Sequence, residues 1–415
     1  GVTAQSVSTA AVNPALSLQA AEGLIAERNR DVLLARRTAA GVDADVLTAG
    51  ARPNPNLSFG LSSINPSAGI GAGTPRDKAI DQFIRLDQLI ERGGKRELRI
   101  DAAKGRASAA RSDVNEIVRQ QRLAVGLAYY DLLLAQDRTR ITAETLELYG
   151  NTLAAADRRL KAGDIAPADV SRIRVDALRA ETDARTADAD RVRAQLALAS
   201  LLAAEPQARD IQGMDPWPDA AAAMAPADVD AQIAQRADVR AAAARLEAAR
   251  VARDLARSLR TRDVSVGAQF DRYPTSGSNQ LGSGNSFGVS MSLPLFWRYG
   301  FEGEISRAEA DYTLALDTVE RARAVARADV ARAYAELNSF RARVERYDRA
   351  VLPEARRSAE FAEFAYKNGA IGVMDLLDAR RVLRATQLEA SQARADHAKA
   401  RVALRAAAAT EPVQP

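Results

Sequence analysis

The 415-residue chain has no cysteine and a single histidine, His397. These absences exclude disulfides, thiol chemistry and zinc sites of the usual Cys/His type. They also exclude a Ser-His-Asp triad unless His397 supplies the base. Aromatic residues make up only 5%, against a compact, aromatic-rich enzyme core, while the abundant alanine favours long helices packed through small contacts. No run of about 18 apolar residues occurs, so no transmembrane helix is expected. Neither sign of charge dominates: 58 basic against 54 acidic side chains leave a formal charge of +4. That mixed surface makes no electrostatic case for nucleic acid. Gly1-Val2-Thr3 carries neither a basic n-region nor an apolar h-region, and the expectation is a numbering that starts either after a removed signal or at an artificial boundary.

What the sequence does contain is one unit written twice. Ile25-Ala26-Glu27-Arg28 with Asp31-Val32 returns as Ile233-Ala234-Gln235-Arg236 with Asp238-Val239. Leu57-Ser58-Phe59-Gly60 returns as Val264-Ser265-Val266-Gly267, Leu160-Lys161-Ala162-Gly163 as Tyr366-Lys367-Asn368-Gly369, and Glu205-Pro206 as Glu411-Pro412. The waypoints keep their order at displacements of 206 to 208 residues. The expected divisions are an N-terminal extension (1–16), a first repeat (17–204), a connector (205–226), a second repeat (227–410) and a tail (411–415).

Each repeat opens on a helix, about Ser17 to Thr48 (with Ser17 as N-cap) and about Ala227 to Arg260. A β-hairpin follows, over 56–89 and again over 264–295. Its strands run about Asn56–Ser62 and Ala79–Leu89, then Val264–Tyr273 and Ser286–Leu295, around Gly/Ser/Pro-rich loops. In the second hairpin Val264, Val266, Ala268 and Phe270, and likewise Phe287, Val289, Met291, Leu293 and Leu295, alternate with small or polar residues, giving one apolar and one polar face. In the first hairpin Ile80, Ile84 and Leu86 alternate with Asp81, Arg85 and Asp87, but Phe83 breaks the pattern. A helical hairpin completes each repeat, over 97–204 and 304–410. Glu97 to Leu160 contains no proline, which at 1.5 Å per residue allows about 95 Å of helix. Gly163 is placed to stop it and Pro167 to start the return. The second hairpin is expected to break at Pro353 and turn at Gly369 and Gly372.

Four strands cannot close a membrane barrel, which needs about eight or more. The strands are nevertheless long enough to cross a bilayer when tilted, and the helices are too polar to enter it. The expected assembly is therefore an oligomer whose hairpins join into one shared barrel, with the helices as a water-filled tube.

These residues resemble the TolC-type outer-membrane factors, the exit ducts of Gram-negative efflux and secretion systems. The segments AERNRDV from Ala26, ARPNPNLSF from Ala51 and YKNGAIGVMDLLDARRVL from Tyr366 carry the likeness, which runs from about Ser17 to Ala409. Arg30 stands where the family often has proline. SLPLFWRYG from Ser292 and ERGGKRELRI from Glu91 look most like the CzcC-like branch, which serves heavy-metal efflux. The resemblance implies an α+β membrane protein: a homotrimer with a twelve-stranded shared β-barrel, four strands per chain, continued by a long α-helical periplasmic tunnel. It implies a passive, gated duct in the outer membrane, working with a periplasmic adaptor (a membrane fusion protein) and an inner-membrane resistance-nodulation-division pump, with heavy-metal cations as cargo. It implies no enzyme activity, no cofactor and no resident metal. A drug-efflux or type I secretion duct is the near alternative. Many members carry a lipidated N-terminal cysteine, which this sequence lacks.

By the same resemblance Tyr366, Asp375, Asp378 and Asp169 fall at the periplasmic gate positions. Asp375 and Asp378 lie three apart on one helix face, so a three-fold axis would turn them into carboxylate rings that attract cations. Acidic residues also favour the first turn of any helix. The family's gate often has an arginine two residues after the turn glycine, where this chain has Ile371. Gly163, Asp164, Ile165 and Pro167, with Gly369, Ala370, Ile371 and Gly372, are the expected adaptor-docking tips; such residues are also ordinary turn formers. Gly93-Gly94-Lys95-Arg96-Glu97 lacks the P-loop pattern and reads as a basic turn at the membrane edge or tunnel equator. Gly69, Gly71 and Gly73 miss a dinucleotide fingerprint at Thr74. His397 is expected on a solvated helix face, and Phe296 and Trp297 either at an interface or in ordinary packing. A cytosolic coiled-coil scaffold would account for the helices but not for the paired alternating strands. A hydrolase lacks a convergent nucleophile and base.

Overall fold

The computed structural model describes residues 13–62, 64, 80–220, 228–273 and 284–408. In chain order the elements of the first half are β1 (Ala15–Leu16), α1 (Leu18–Arg28), α2 (Arg30–Gly50), β2 (Asn56–Ser62), β3 (Asp81–Ile90), α3 (Lys95–Ala162), α4 (Pro167–Leu201) and β4 (Gln212–Gly213). The second half adds α5 (Val229–Gln235), α6 (Ala237–Ser258), β5 (Val264–Tyr273), β6 (Gly284–Ser292), α7 (Glu302–Arg346), α8 (Leu352–Lys367) and α9 (Val373–Ala408). The hairpin loops that follow Ser62 and Tyr273, including Gly69, Gly71 and Gly73, the first twelve residues, part of the connector and the C-terminal tail lie outside the described residues. No helix among the described residues is long and apolar enough to cross a membrane.

The chain divides into two compact units, one from Gly1–Thr38, Arg111–Arg240 and Arg321–Pro415, the other from Ala39–Ala110 and Ala241–Glu320. Each unit takes segments from both repeats. In the first, Leu16, Ile25, Tyr129, Leu132, Leu198, Ile211 and Val402 are among the residues of the main core. The buried Tyr129 hydroxyl donates to the Leu16 carbonyl (3.1 Å) and accepts from the N–H groups of Met214 (3.2 Å) and Asp215 (3.1 Å). That network secures a parallel pair, β1 with β4, too short to show any periodicity in the sequence. Helices pack closely where side chains are small: a Cβ on Gly126 would lie 2.5 Å from Val402 Cγ1. In the second unit a Cβ on Gly105 would stand 2.8 Å from that of Ala248.

Two expected helices are each divided in two. Ser17 caps α1 as its sequence suggests, its hydroxyl accepting from the Ala20 N–H at 3.2 Å. The helix then stops at Asn29, which turns extended (φ −65°, ψ 123°). Its side-chain oxygen accepts from the N–H groups of Asp31 (3.0 Å) and Val32 (3.2 Å), restarting the chain as α2. Its side-chain nitrogen donates to the Leu201 carbonyl at 2.9 Å, fixing the break to the core. In the second repeat Arg236 holds the matching extended position (φ −60°, ψ 139°) between α5 and α6. Arg236 is 1% exposed. It donates to Asp238 (2.7 and 3.1 Å), Asp329 (3.3 Å) and the Ala407 carbonyl (3.3 Å). Burial works to raise the Asp238 carboxyl, but the hydrogen bonds from Arg236 outweigh it and hold the group below its ordinary value. Arg30, at the position where the resembling family often has proline, forms an exposed pair with Glu205 at 2.6 Å.

Pro353 does not break the second helical hairpin. Residues Tyr347–Val351 form one π-helical turn, in which the Leu352 N–H reaches back five residues to the Tyr347 carbonyl. The wider turn accommodates a ring that has no N–H to give and would otherwise meet the carbonyl four residues earlier. The last strand also differs: it begins at Gly284 and ends at Ser292, short of the expected Leu295, because Pro294 cannot donate to a ladder. Phe296 and Trp297 lie beyond it.

His397 is 2% exposed, buried on α9 rather than solvated. Its polar neighbours Asp396 and Lys399 are half-buried and paired with Arg343 and Asp131. Burial first, then the Arg401 and Arg341 cations, push the imidazole below its ordinary value. A neutral buried imidazole adds no cost above the unfolded value of about 6.5 and an increasing one as pH falls below it. Lowering the pH from 7.5 to 5.5 should therefore reduce the urea midpoint of the wild-type chain more than that of His397→Leu. Parallel declines in the two proteins would show that His397 does not contribute.

Candidate functional site

The two turns joining the helical hairpins share one geometry. Gly163 N–H donates to the Leu160 carbonyl (3.1 Å) and Asp164 N–H to that of Arg159 (2.9 Å). Gly369 N–H donates to Tyr366 (3.0 Å) and Ala370 N–H to Ala365 (2.9 Å). Both glycines are left-handed, at φ +81° and +72°. This is the Schellman closure, which needs a residue without a Cβ penalty at that position. Pro167 then opens α4, where its missing N–H costs nothing. Gly163, Asp164, Pro167, Gly369, Ala370 and Gly372 are exposed; Ile165 and Ile371 are half-buried.

Beneath the turns Tyr149 and Ala156 of α3, Val170, Ile173 and Ala180 of α4, and Leu377 of α9 form a buried cluster, with Ile165, Val373 and Met374 against it. Among the described residues the candidate gate residues do not bond to one another. Asp375 is exposed in the first turn of α9 and accepts from the Gly372 N–H at 3.2 Å, a capping contact. Asp378, on the same face, pairs with Arg381 one turn along. Asp169 sits in the first turn of α4 and makes no ion pair among the described residues. The Tyr366 hydroxyl accepts from Arg159 at 3.3 Å, so a basic partner for the tyrosine comes from the end of α3.

Three arginines of α9 carry contacts that sequence reading missed. Arg380 reaches α8, at 3.2 Å from Glu363. Hydrogen bonds from Lys367 and then Arg380 hold Glu363 below the usual carboxylate range. Its neighbour Arg381 reaches the opposite way to the buried Asp176 of α4 at 2.5 Å, and that bond raises the guanidinium further. Arg384 pairs with Asp183, one heptad on along α4. The readable signal was two acids spaced seven on one helix and two arginines spaced three on the returning helix.

In the second unit the strands form one open antiparallel sheet in the order β2-β3-β5-β6. Phe59 stands opposite Ile84, Ile84 opposite Phe270, and Phe270 opposite Phe287. Leu57, Leu86, Ala268 and Val289 form the next row. All lie on one face, and that face is open: Phe287 and Val289 are each 85% exposed and Met291 75%. The other face is polar. There Arg85 bridges to Asp87 at 2.8 Å and to Ser290 at 3.2 Å. Phe83, the residue that breaks the alternation, lies on the polar face over Gly60, where a Cβ would be 2.2 Å from its ring. Among the described residues β2 and β6 each have one paired side only.

A half-buried polar face and an open apolar face invert the arrangement of a water-soluble sheet. The sequence profile of the outer membrane efflux protein family matches residues 23–204 and again 229–410. The chain belongs to this family. The resemblance to the TolC-type outer-membrane factors, with their CzcC-like branch, is borne out. The cobalt-zinc-cadmium resistance protein CzcC of Cupriavidus metallidurans is 27% identical over 370 residues, covering 89% of this chain and 84% of that protein. A membrane protein of Pseudomonas aeruginosa shares the fold with a TM-score of 0.78 at 21% identity, over 94% of this chain and 93% of that one. CusC, solved in connection with its folding and transmembrane channel formation, superposes with a TM-score of 0.75 at 19% identity, over 94% and 91% of the two chains. The twofold match of the outer membrane efflux protein family accounts for the internal repeat, and a single protomer's sheet does not close into a barrel.

Proposed function

We propose that this outer membrane efflux protein is one protomer of a homotrimeric exit duct. Three copies of the four-stranded sheet would close a twelve-stranded barrel, apolar face to lipid and polar face to the channel, and the helical hairpins would line a periplasmic tunnel. The supporting observation is the open sheet, with its exposed apolar face and two edges that lack an outer neighbour. An exposed, apolar, unpaired edge is an aggregation hazard in water, and barrel closure removes it. On this reading 17–204 and 227–410 are the two repeats and 205–226 the connector between them. The duct is passive and does no chemistry of its own. Energy and substrate choice come from an inner-membrane resistance-nodulation-division pump, joined through a periplasmic adaptor that docks on the turns at Gly163 and Gly369. The likeness to CzcC favours divalent metal cations as cargo.

The gate belongs at the same turns. Asp375 and Asp378 keep exposed carboxylates despite their capping and ion-pair contacts, and three-fold repetition would set them in rings. Tyr366 with Arg159, and Asp169 beside the buried tip cluster, complete the constriction. Purified protein should run as a detergent-dependent trimer and conduct in planar bilayers. Asp375→Ala with Asp378→Ala should lower cation over anion selectivity or alter conductance. A soluble monomer that never conducts would overturn the duct; a conducting trimer indifferent to both substitutions would remove the gate assignment alone.

A further inference from the structure

Where β3 ends, β5 begins and β6 ends, the apolar face gives way to a border of arginine and leucine. Ile90 is followed two residues on by Arg92, Val264 is preceded two residues earlier by Arg262, and Met291 is followed by Leu293. Arg92, Arg260, Thr261, Arg262, Leu293 and Phe296 line a groove of 490 Å³ with Gly300. Exposed Leu295, Trp297 and Tyr299 follow Leu293, an aromatic and apolar border of the kind found at membrane–water interfaces.

The three arginines of the groove differ from most others in this chain. Among the described residues none of them is in an ion pair with a carboxylate. Arg260 spends one nitrogen on the Gly300 carbonyl at 3.1 Å. Arg262 lies over the Phe296 ring, 5.9 Å from its centroid. Among the described residues the Arg92 side chain makes no hydrogen bond; its backbone N–H donates to Asp263 at 2.9 Å. The acids nearby are hydrogen-bonded elsewhere: Asp263 to Lys95 at 2.9 Å, Glu91 to Arg99, and Glu302 to the Gly300 N–H at 2.9 Å. Lys95 itself is buried and also donates to the Thr261 carbonyl at 2.7 Å, so the Gly-Gly-Lys run fixes this turn and leaves the arginines outside it. Of the three guanidinium groups only Arg260 is close enough to an acid to act on it, adding to the Glu302 and Gly300 backbone N–H groups that lower the Glu302 carboxyl. Three guanidinium groups around one groove, none in an ion pair, with an aliphatic and an aromatic wall, match a ligand that carries a phosphate on one end and hydrocarbon on the other.

We propose that this groove binds the headgroup phosphate of an anionic phospholipid at the helix-side boundary of the membrane, with Leu293 and Phe296 against the first methylenes of its chains. The proposal rests on the membrane-embedded sheet argued above. The groove lies at the end of the sheet opposite the hairpin loops, so the lipid comes from the leaflet on the helical side. Arginine-phosphate contacts of this kind hold a lipid in place and fix the depth at which the protein sits.

The test uses the full chain, purified in detergent and stripped of lipid. Flotation with phosphatidylcholine vesicles comes first; a chain that fails to float refutes the membrane-embedded sheet and the groove with it. Native mass spectrometry then counts retained phosphatidylglycerol against phosphatidylcholine, for the wild type and for Arg92→Gln with Arg262→Gln. That pair leaves the Arg260–Gly300 bond in place. The wild type should prefer phosphatidylglycerol, and the double variant should lose that preference by roughly tenfold or more while still floating. Equal phosphatidylglycerol retention by both proteins overturns the proposal. Displacement of the lipid by millimolar inorganic phosphate as readily as by short-chain phosphatidylglycerol would also overturn it, since the ligand would then be the free anion.

Discussion

Val289→Arg should remove most of the folded, membrane-inserted protein. Val289 sits in the middle of β6, 85% exposed, opposite Ala268 and between the rows of Phe287 and Met291. If water covered this face, replacing one exposed residue would change stability by no more than about 0.5 kcal/mol. Facing hydrocarbon, an arginine near the midplane of a barrel costs about 2–4 kcal/mol, and in the proposed trimer it is paid three times. The measurement is the amount of folded trimer in isolated outer membranes. Ser286→Lys provides the control: Ser286 faces Asp271 on the polar side of the same strand and its replacement should leave the trimer near wild-type level. Equal trimer from Val289→Arg and the wild type would mean that the apolar face does not meet lipid.

Arg236→Leu should be the most damaging single change in the helical part. Its guanidinium is almost fully buried and gathers Asp238, Asp329 and the Ala407 carbonyl. Removing one partner of a buried ionic group costs about 3–5 kcal/mol, because the remaining charges are left without compensation. The exposed Arg30–Glu205 pair makes the contrast: Arg30→Ala should cost about 1 kcal/mol or less. Urea unfolding of the two variants in detergent, followed by circular dichroism, separates the expectations. Arg236→Lys should fall between them, since an ammonium keeps the charge but cannot bridge both carboxylates with a planar fork. Equal midpoints for Arg236→Leu and Arg30→Ala would contradict the buried-network account.

What could be read in the sequence was what neighbouring residues decide. Strand β2 occupies the residues expected of it and β5 those where alternation places it, and Gly163 and Gly369 close their helices because left-handed backbone is a local demand. What could not be read depends on distant partners. Asn29 ends a helix because Leu201 accepts from its side chain, and Arg236 because Asp329 and Ala407 lie beside it. The polar-looking stretch around His397 is buried because neighbouring helices cover it, which no i, i+3 pattern on α9 could reveal. At the candidate gate the turn residues were legible. The α4–α9 ion pairs were not, since Asp176 and Arg381 are 205 residues apart in sequence and meet only when both hairpins have folded.

The bare edges of β2 and β6 have a genetic consequence. On the proposed ring every chain must offer a sound β2 to one sister and a sound β6 to the other. A copy spoiled at β6 alone still presents an intact β2, so it can be recruited and then leave the wall unsealed. Co-expressed with the wild type, such an allele would poison mixed rings rather than merely subtract its own share, and the defect would be inherited as dominant.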